Sequence, residues 1–150
     1  MAGAYPRGMT DPASPRRSPP DAVGIRRGRE SDLPALTELY NHYIRTTAIT
    51  FDVEPYTVET RRGWFAGFRP SGRHQIFVAD DAGRVVGFAC TRPFRDKAAY
   101  ATTVETSVYL EPAARGAGLG RRLYAALFTA LIGVDVHRAV AGVTLPNDAS

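Results

Sequence analysis

One cysteine, one lysine and one tryptophan stand among 150 residues, and no hydrophobic run is long. Each scarcity excludes something. With Cys90 alone, the chain has neither an internal disulfide nor a multi-cysteine zinc site. A reducing cytoplasm is the compartment to expect. No stretch nears the roughly 18 consecutive apolar residues of a membrane span. Arg16 and Arg17 are followed by no apolar run, which argues against a secretory signal. Lys97 is the only lysine, so arginine carries almost all the positive charge. With the abundant alanine and glycine, this reads as the coding bias of a GC-rich genome. The basic residues are scattered among acids and not interleaved with aromatics, so no nucleic-acid partner is expected. His74 and His137 have no partner at metal-ligand spacing, and no metal is expected.

The length suits one domain. Residues 1–22 are rich in Pro, Arg, Ser and Ala without hydrophobic periodicity, and read as a disordered tail ahead of a domain over 23–150. A first strand is expected over 23–29. Ser31 then caps a helix with Pro34 in its first turn and Leu33, Leu36, Leu39, Tyr40, Tyr43 and Ile44 at helical spacing. Thr57 caps a second helix running to about Phe68, with Thr60 at the capping-box position. Strands follow over 75–79 and 85–94, joined by the turn Asp81-Ala82-Gly83, and then over 100–110. Residues 118–132 form a strongly amphipathic helix stopped by Gly133. A last strand over 138–143 lies beyond that helix and should run parallel to the strand before it. The order is β-α-α-β-β-β-α-β, an α/β chain with a mixed sheet.

The most informative segment is Val108-Tyr109-Leu110-Glu111-Pro112-Ala113-Ala114-Arg115-Gly116-Ala117-Gly118-Leu119-Gly120. It joins a strand to a helix N-terminus through a glycine-rich turn. Such a turn offers free amide groups and the positive end of a helix dipole to an anion. Gly116, Gly118 and Gly120 remove side chains that would hold a pyrophosphate away, and Arg115 and Arg121 add charge. A Walker loop needs Gly-Lys-Ser/Thr, and here Gly120-Arg121-Arg122 stands instead. A dinucleotide fingerprint starting at Gly116 needs glycine at 121, which is arginine.

Arg115-x-x-Gly118-x-Gly120 resembles the coenzyme A motif of the GNAT acetyltransferase superfamily, and the element order matches that superfamily's fold. The closer resemblance is to the phosphinothricin acetyltransferase family. It rests on Asn41-His42-Tyr43-Ile44, Thr50-Phe51, Gly87-Phe88-Ala89, Arg92-Pro93-Phe94, Thr103-Val104-Glu105-Thr106-Ser107-Val108-Tyr109-Leu110 and Leu145-Pro146-Asn147. The resemblance implies acetyl-CoA as co-substrate and an amino-acid-like amine, of the phosphinothricin, methionine sulfone or methionine sulfoximine type, as acceptor. It implies that Val108, Tyr109 and Leu110 pair with the pantetheine arm. By the same resemblance Arg115, Gly116, Ala117, Gly118, Leu119 and Gly120, with Arg121, hold the pyrophosphate, and Asn147 contacts the coenzyme from the far side of a splay between strands. The family tends to form dimers. Its members continue beyond Leu-Pro-Asn with a helix and further strands, so a C-terminal segment is expected to be missing and this chain alone to be weakly active.

Acetyl transfer needs a neutral amine, because an ammonium has no lone pair, and a carboxylate can take that proton directly or through water. Alternation puts Glu105, Ser107 and Tyr109 on one face of the long strand and Thr106, Val108 and Leu110 on the other. A glutamate in such a strand is expected to be buried, and the family has a glutamate here as its base; the alternative is an exposed-face glutamate on an edge strand. Phe51, Arg92, Tyr100 and Thr103 are expected to line the acceptor pocket, with Arg92 on a substrate carboxylate. The alternative makes Phe51 and Tyr100 core aromatics and Arg92 solvated. His42 is expected to be structural, Cys90 a buried inert thiol, and Trp64 and Phe65 core or dimer contacts. Other readings are acetylation of a protein N-terminus and a remnant that only binds coenzyme A.

Overall fold

The computed structural model describes residues 22–145 together with Pro19 and Asn147. Most of the expected tail lies outside the described residues. Five strands form one sheet in the order β1-β2-β3-β4-β5. They are β1 (Gly24–Arg27), β2 (Ile76–Asp81), β3 (Arg84–Pro93), β4 (Thr103–Leu110) and β5 (Arg138–Val140). Neighbours are antiparallel through β4, and β4 and β5 are parallel. Helices α1 (Leu33–Thr46) and α2 (Val58–Phe65) cover one face, and α3 (Leu119–Ala130) covers the other. Among the described residues no helix is long and apolar enough to cross a membrane.

Alternation along the strands divides the core in two. Phe77, Ala79, Val86 and Ala89 meet Leu119, Leu123 and Leu127 of α3. Val78, Val85, Phe88 and Cys90 meet Leu36, Leu39 and Tyr43 of α1. The hairpin between β2 and β3 turns through Ala82 and Gly83 at φ 51° and 92°, the twist-matched two-residue turn. Gly87 is fixed by packing: a Cβ there would lie 2.4 Å from Leu110 Cδ2 and 3.0 Å from the Tyr109 carbonyl oxygen. That absence lets β3 and the end of β4 approach closely.

Several boundaries differ from expectation. The chain enters α1 through a 3-10 turn, Glu30–Asp32, and Ser31 does not cap it. Asp32 governs that entry, because its carboxylate accepts from the Arg29 amide at 2.7 Å and from Arg26 Nη1 and Nη2 at 2.7 and 2.8 Å. Thr57 and Thr60 form the reciprocal capping box, but α2 ends at Phe65. Residues 98–100 form a 3-10 turn, so β4 begins at Thr103. The last strand has only three residues, paired from Thr103↔Arg138 to Glu105↔Val140.

Candidate active site

Two features of β4 build the site. The first is its free edge. Pairing with β5 stops at Glu105, and the last link is Thr106 Oγ1 donating to the Val140 carbonyl at 3.2 Å. On the opposite edge β4 stays paired with β3 to Leu110, and the Glu111 amide donates to the Val86 carbonyl at 2.8 Å. Alternation therefore turns the backbone groups of Val108 and Leu110 toward the side that β5 has left. The Tyr109 backbone faces β3, while its side chain joins the face of α1 and α2.

The second feature is the turn that leaves this strand. A 3-10 turn, Pro112–Ala114, leads into Arg115, Gly116 and Ala117, and Gly118 precedes α3. Gly116 and Gly118 both stand at φ 73°, a left-handed conformation that other residues enter only with strain. A Cβ at either would meet nothing within 4 Å, so both face open space. The first helical bond is the Arg122 amide to the Gly118 carbonyl. Among the described residues no backbone carbonyl takes the amides of residues 116–121. These donors converge at the N-terminus of a helix, which is a site for phosphate oxygens. Arg121 is exposed beside them. Asn147 is half-buried beyond β5.

Tyr43 ties the two features together, and sequence reasoning missed it as anything beyond a core aromatic. It is buried on α1, its hydroxyl donates to the Leu110 carbonyl, and it accepts from Arg115 Nη2 at 3.0 Å. The Arg115 guanidinium also lies 5.4 Å from the Tyr43 ring centre. The end of the open edge and the first residue of the glycine turn are thereby held by one side chain.

On the α1/α2 face, Glu105 stands directly across from Arg92 of β3. Glu105 is exposed, contrary to the burial expected of it. Alternation fixed its face correctly, but β5 ends beside it and leaves it uncovered. Arg92 is exposed as well. No ion pair within 4 Å joins the two among the described residues. Thr103 is buried at the start of β4, 7 % exposed. Phe51 and Tyr100 are 80 % and 38 % exposed, so neither belongs to the core. Tyr100 packs edge-on against Phe94, with ring centres 5.5 Å apart. Phe51 holds φ 57° on the loop after α1, a strained setting for an aromatic residue and one that clusters at functional sites.

The rest of that loop is pinned. The Asn41 side chain donates to the Tyr56 carbonyl at 2.7 Å and accepts from the Tyr56 amide at 2.8 Å. Asp52 accepts from the Tyr40 hydroxyl at 2.6 Å and the Tyr56 hydroxyl at 3.0 Å. Burial, helped by Asp52, pushes the Tyr40 phenol far above its ordinary range. Burial pushes Tyr109 up to about 12, so both remain neutral donors near neutral pH. Burial likewise pushes the Cys90 thiol up to about 12, which leaves it unreactive. Trp64 is half-buried and packs edge-on to Phe88 at 6.0 Å, against the core. Two surface depressions of about 400 and 430 Å³ lie elsewhere, around Arg73 and Asp135 and around Arg62 and Phe65. They line neither the glycine turn nor β4.

The acetyltransferase (GNAT) family model matches residues 36–150. The phosphinothricin N-acetyltransferase of Streptomyces coelicolor is 52 % identical over 130 residues, covering 85 % of this chain and 76 % of that protein. The L-methionine sulfoximine/L-methionine sulfone acetyltransferase of Salmonella typhimurium is 33 % identical, covering 84 % of this chain and 73 % of its own length. Among solved structures, yncA of Salmonella typhimurium, with its cofactor acetyl-CoA, superposes with a TM-score of 0.79 at 32 % identity, covering 85 % of this chain and 73 % of that one. With its five-stranded mixed sheet, its parallel β4/β5 pair and its glycine turn before α3, this chain belongs to the GNAT acetyltransferase family.

Proposed function

We propose that this protein transfers the acetyl group of acetyl-CoA to the amine of a small amino acid of the phosphinothricin, methionine sulfone or methionine sulfoximine type. The observation that carries this reading is where the strands part. β5 leaves β4 immediately after Glu105, so the open edge runs from the glycine turn to the carboxylate. Five strand residues span about 17 Å, comparable to an extended pantetheine arm. The amides of residues 116–121 would hold the phosphates, and the open edge of β4 would carry the thioester toward Glu105.

The amides of residues 116–121, the two left-handed glycines and the backbone groups of Val108 on the edge that β5 leaves all fit that ligand. When bound, acetyl-CoA supplies an activated acyl group that needs no protein nucleophile. Cys90, buried with a raised pKa, is unsuited to a covalent route. Glu105 takes the ammonium proton of the acceptor, directly or through water, and the freed amine becomes the nucleophile. Its exposure fits relay through water, and its nearness to Arg92 sets amine and carboxylate recognition side by side. Thr103 lies two residues from Glu105 on the same strand face, and exposed Phe51 and Tyr100 remain candidates for acceptor contacts. The S. coelicolor and S. typhimurium relatives support the acceptor class by the substrates in their names.

Mass spectrometry of the products from acetyl-CoA and a panel of acceptors tests this. The panel holds phosphinothricin, methionine sulfone, methionine sulfoximine and a short peptide with a free N-terminus. N-acetylated amino acids with an unmodified peptide are expected. Acetylation confined to the peptide would replace this reading with a protein-directed one.

A further inference from the structure

Arg61 is the most enclosed arginine described, 5 % exposed, in the middle of α2. Its guanidinium lies over three rings, at 3.9 Å from the centre of Trp64, 4.3 Å from Tyr40 and 5.1 Å from Tyr56. The flat faces of the guanidinium are therefore covered, and only its N–H edge remains to be satisfied. Among the described residues no carboxylate pairs with Arg61, and Nε is fully enclosed without an acceptor, while Nη1 and Nη2 keep access to solvent. The contrast with other arginines is plain. Arg26, Arg62, Arg73 and Arg84 are all more exposed, and each has a carboxylate. The carboxylate nearest in the network, Asp52, is occupied by the hydroxyls of the two tyrosines that Arg61 rests on.

A buried charge without a hydrogen-bonding partner is costly, and an anionic ligand at its free N–H groups would offset that cost. Burial disfavours the charge on Arg61, and the positive charge of Arg92 opposes it further. Tyr40, under the Arg61 guanidinium, packs edge-on against Tyr109 with ring centres 5.2 Å apart. Tyr109 shares its strand face with Glu105, which stands directly across from Arg92.

We infer that Arg61 is a second anchor of the acceptor site. Its Nη1 and Nη2 bind the side-chain oxygens of an amino acid that ends in an oxidised phosphorus or sulfur centre, while Arg92 takes the α-carboxylate. The fork of two N–H groups matches two oxygens on one tetrahedral centre. An anionic phosphinate should gain more from it than a neutral sulfone, and a thioether least. This inference rests on the acceptor class proposed above.

Two measurements on the full chain test it. In the first, Trp64, the only tryptophan, reports on ligand at Arg61 through its emission, titrated with phosphinothricin and with methionine in the presence of coenzyme A. In the second, KM is measured for phosphinothricin and methionine sulfone in the wild type, Arg61→Lys and Arg61→Met. A saturable Trp64 response to phosphinothricin is expected. Both variants should raise the phosphinothricin KM about 10- to 100-fold, raise that of methionine sulfone less, and leave the acetyl-CoA KM unchanged. Folded variants with a phosphinothricin KM within twofold of wild type would overturn the inference. So would a Trp64 signal indifferent to saturating phosphinothricin. A wild type that turns over no acceptor would instead refute the functional reading. The Trp64 titration would then decide the anchor alone, saturable binding supporting it and no binding refuting it.

Discussion

Replacing Tyr43 by phenylalanine isolates one hydroxyl at the junction of strand edge and glycine turn. The ring stays, with its edge-on contact to Tyr109 at 5.2 Å and its place in the α1 core. Two hydrogen bonds go: the one donated to the Leu110 carbonyl and the one accepted from Arg115. A buried tyrosine hydroxyl with two partners contributes about 1–2 kcal/mol net. For a domain of this size each kcal/mol corresponds to roughly 3–5 °C in Tm, so a fall of about 3–10 °C is expected. The functional effect should be directional. Arg115 and the Leu110 carbonyl belong to the coenzyme side, whereas Glu105 and Arg92 lie at the other end of the cleft. The KM for acetyl-CoA should rise about 3- to 10-fold, which corresponds to roughly 0.7–1.4 kcal/mol, and the acceptor KM should stay within twofold. Steady-state kinetics with each substrate varied, beside a thermal melt, reads both. A lowered Tm with an unchanged acetyl-CoA KM would reduce Tyr43 to a core residue. A raised acceptor KM alone would refute the assignment of the two ends.

Gly120→Ala separates ligand contact from backbone strain. A Cβ there would meet Leu110 Cδ1 at 3.7 Å and Val108 Cγ2 at 3.9 Å, which is ordinary contact. Helix propensity favours alanine by about 1 kcal/mol, so Tm should hold or rise while the acetyl-CoA KM increases. A fall in Tm with unchanged KM would contradict the cradle. The Arg26 network predicts an acid dependence. Burial works against the Asp32 charge, yet the hydrogen bonds from Arg26 and the Arg29 amide outweigh it and hold the carboxyl below its usual range. The Arg26 hydrogen bond does the same for Asp80, with the Gly83 amide. The folded state therefore binds fewer protons than the unfolded state in acid. Stability from this network is present above the ordinary aspartate value of about 3.9 and is lost as pH falls through the lower folded values. Denaturant melts from pH 6 to 3 should show that decline, and Asp32→Asn should flatten it. Equal slopes in the two proteins would contradict the assignment.

Much of this was legible in the residues. The periodicity of α3, the Ala82-Gly83 turn and the glycine run after a strand are local signals, and local chemistry reads them. The parallel β4/β5 pair followed from a helical crossover between them. What escaped depended on contacts far apart in the chain. Asp32 replaces Ser31 at the entry to α1 because Arg26 comes to it from β1. Alternation gave the face of Glu105 but not its depth, since depth is set by where β5 stops. Tyr43 and Arg61 were passed over for opposite reasons. Tyr43 fitted an apolar stripe well enough that its hydroxyl went unread. Arg61 drew no reading at all, although it stands three residues before Trp64 and four before Phe65, on their stripe. A charged residue within an apolar stripe was the available signal, and only the rings of Tyr40 and Tyr56 show what encloses it.

The central claim is that Glu105 takes a proton from an amine delivered to a thioester along the open edge of β4. Thiol release from acetyl-CoA, with and without phosphinothricin, in wild type and Glu105→Gln tests it most directly. Acceptor-dependent release in the wild type should fall about 10²- to 10⁴-fold in the variant. Acetyl-CoA affinity and Tm should be unchanged, because Glu105 is exposed and apart from the cradle. A Glu105→Gln protein that releases thiol at the wild-type rate would contradict the account.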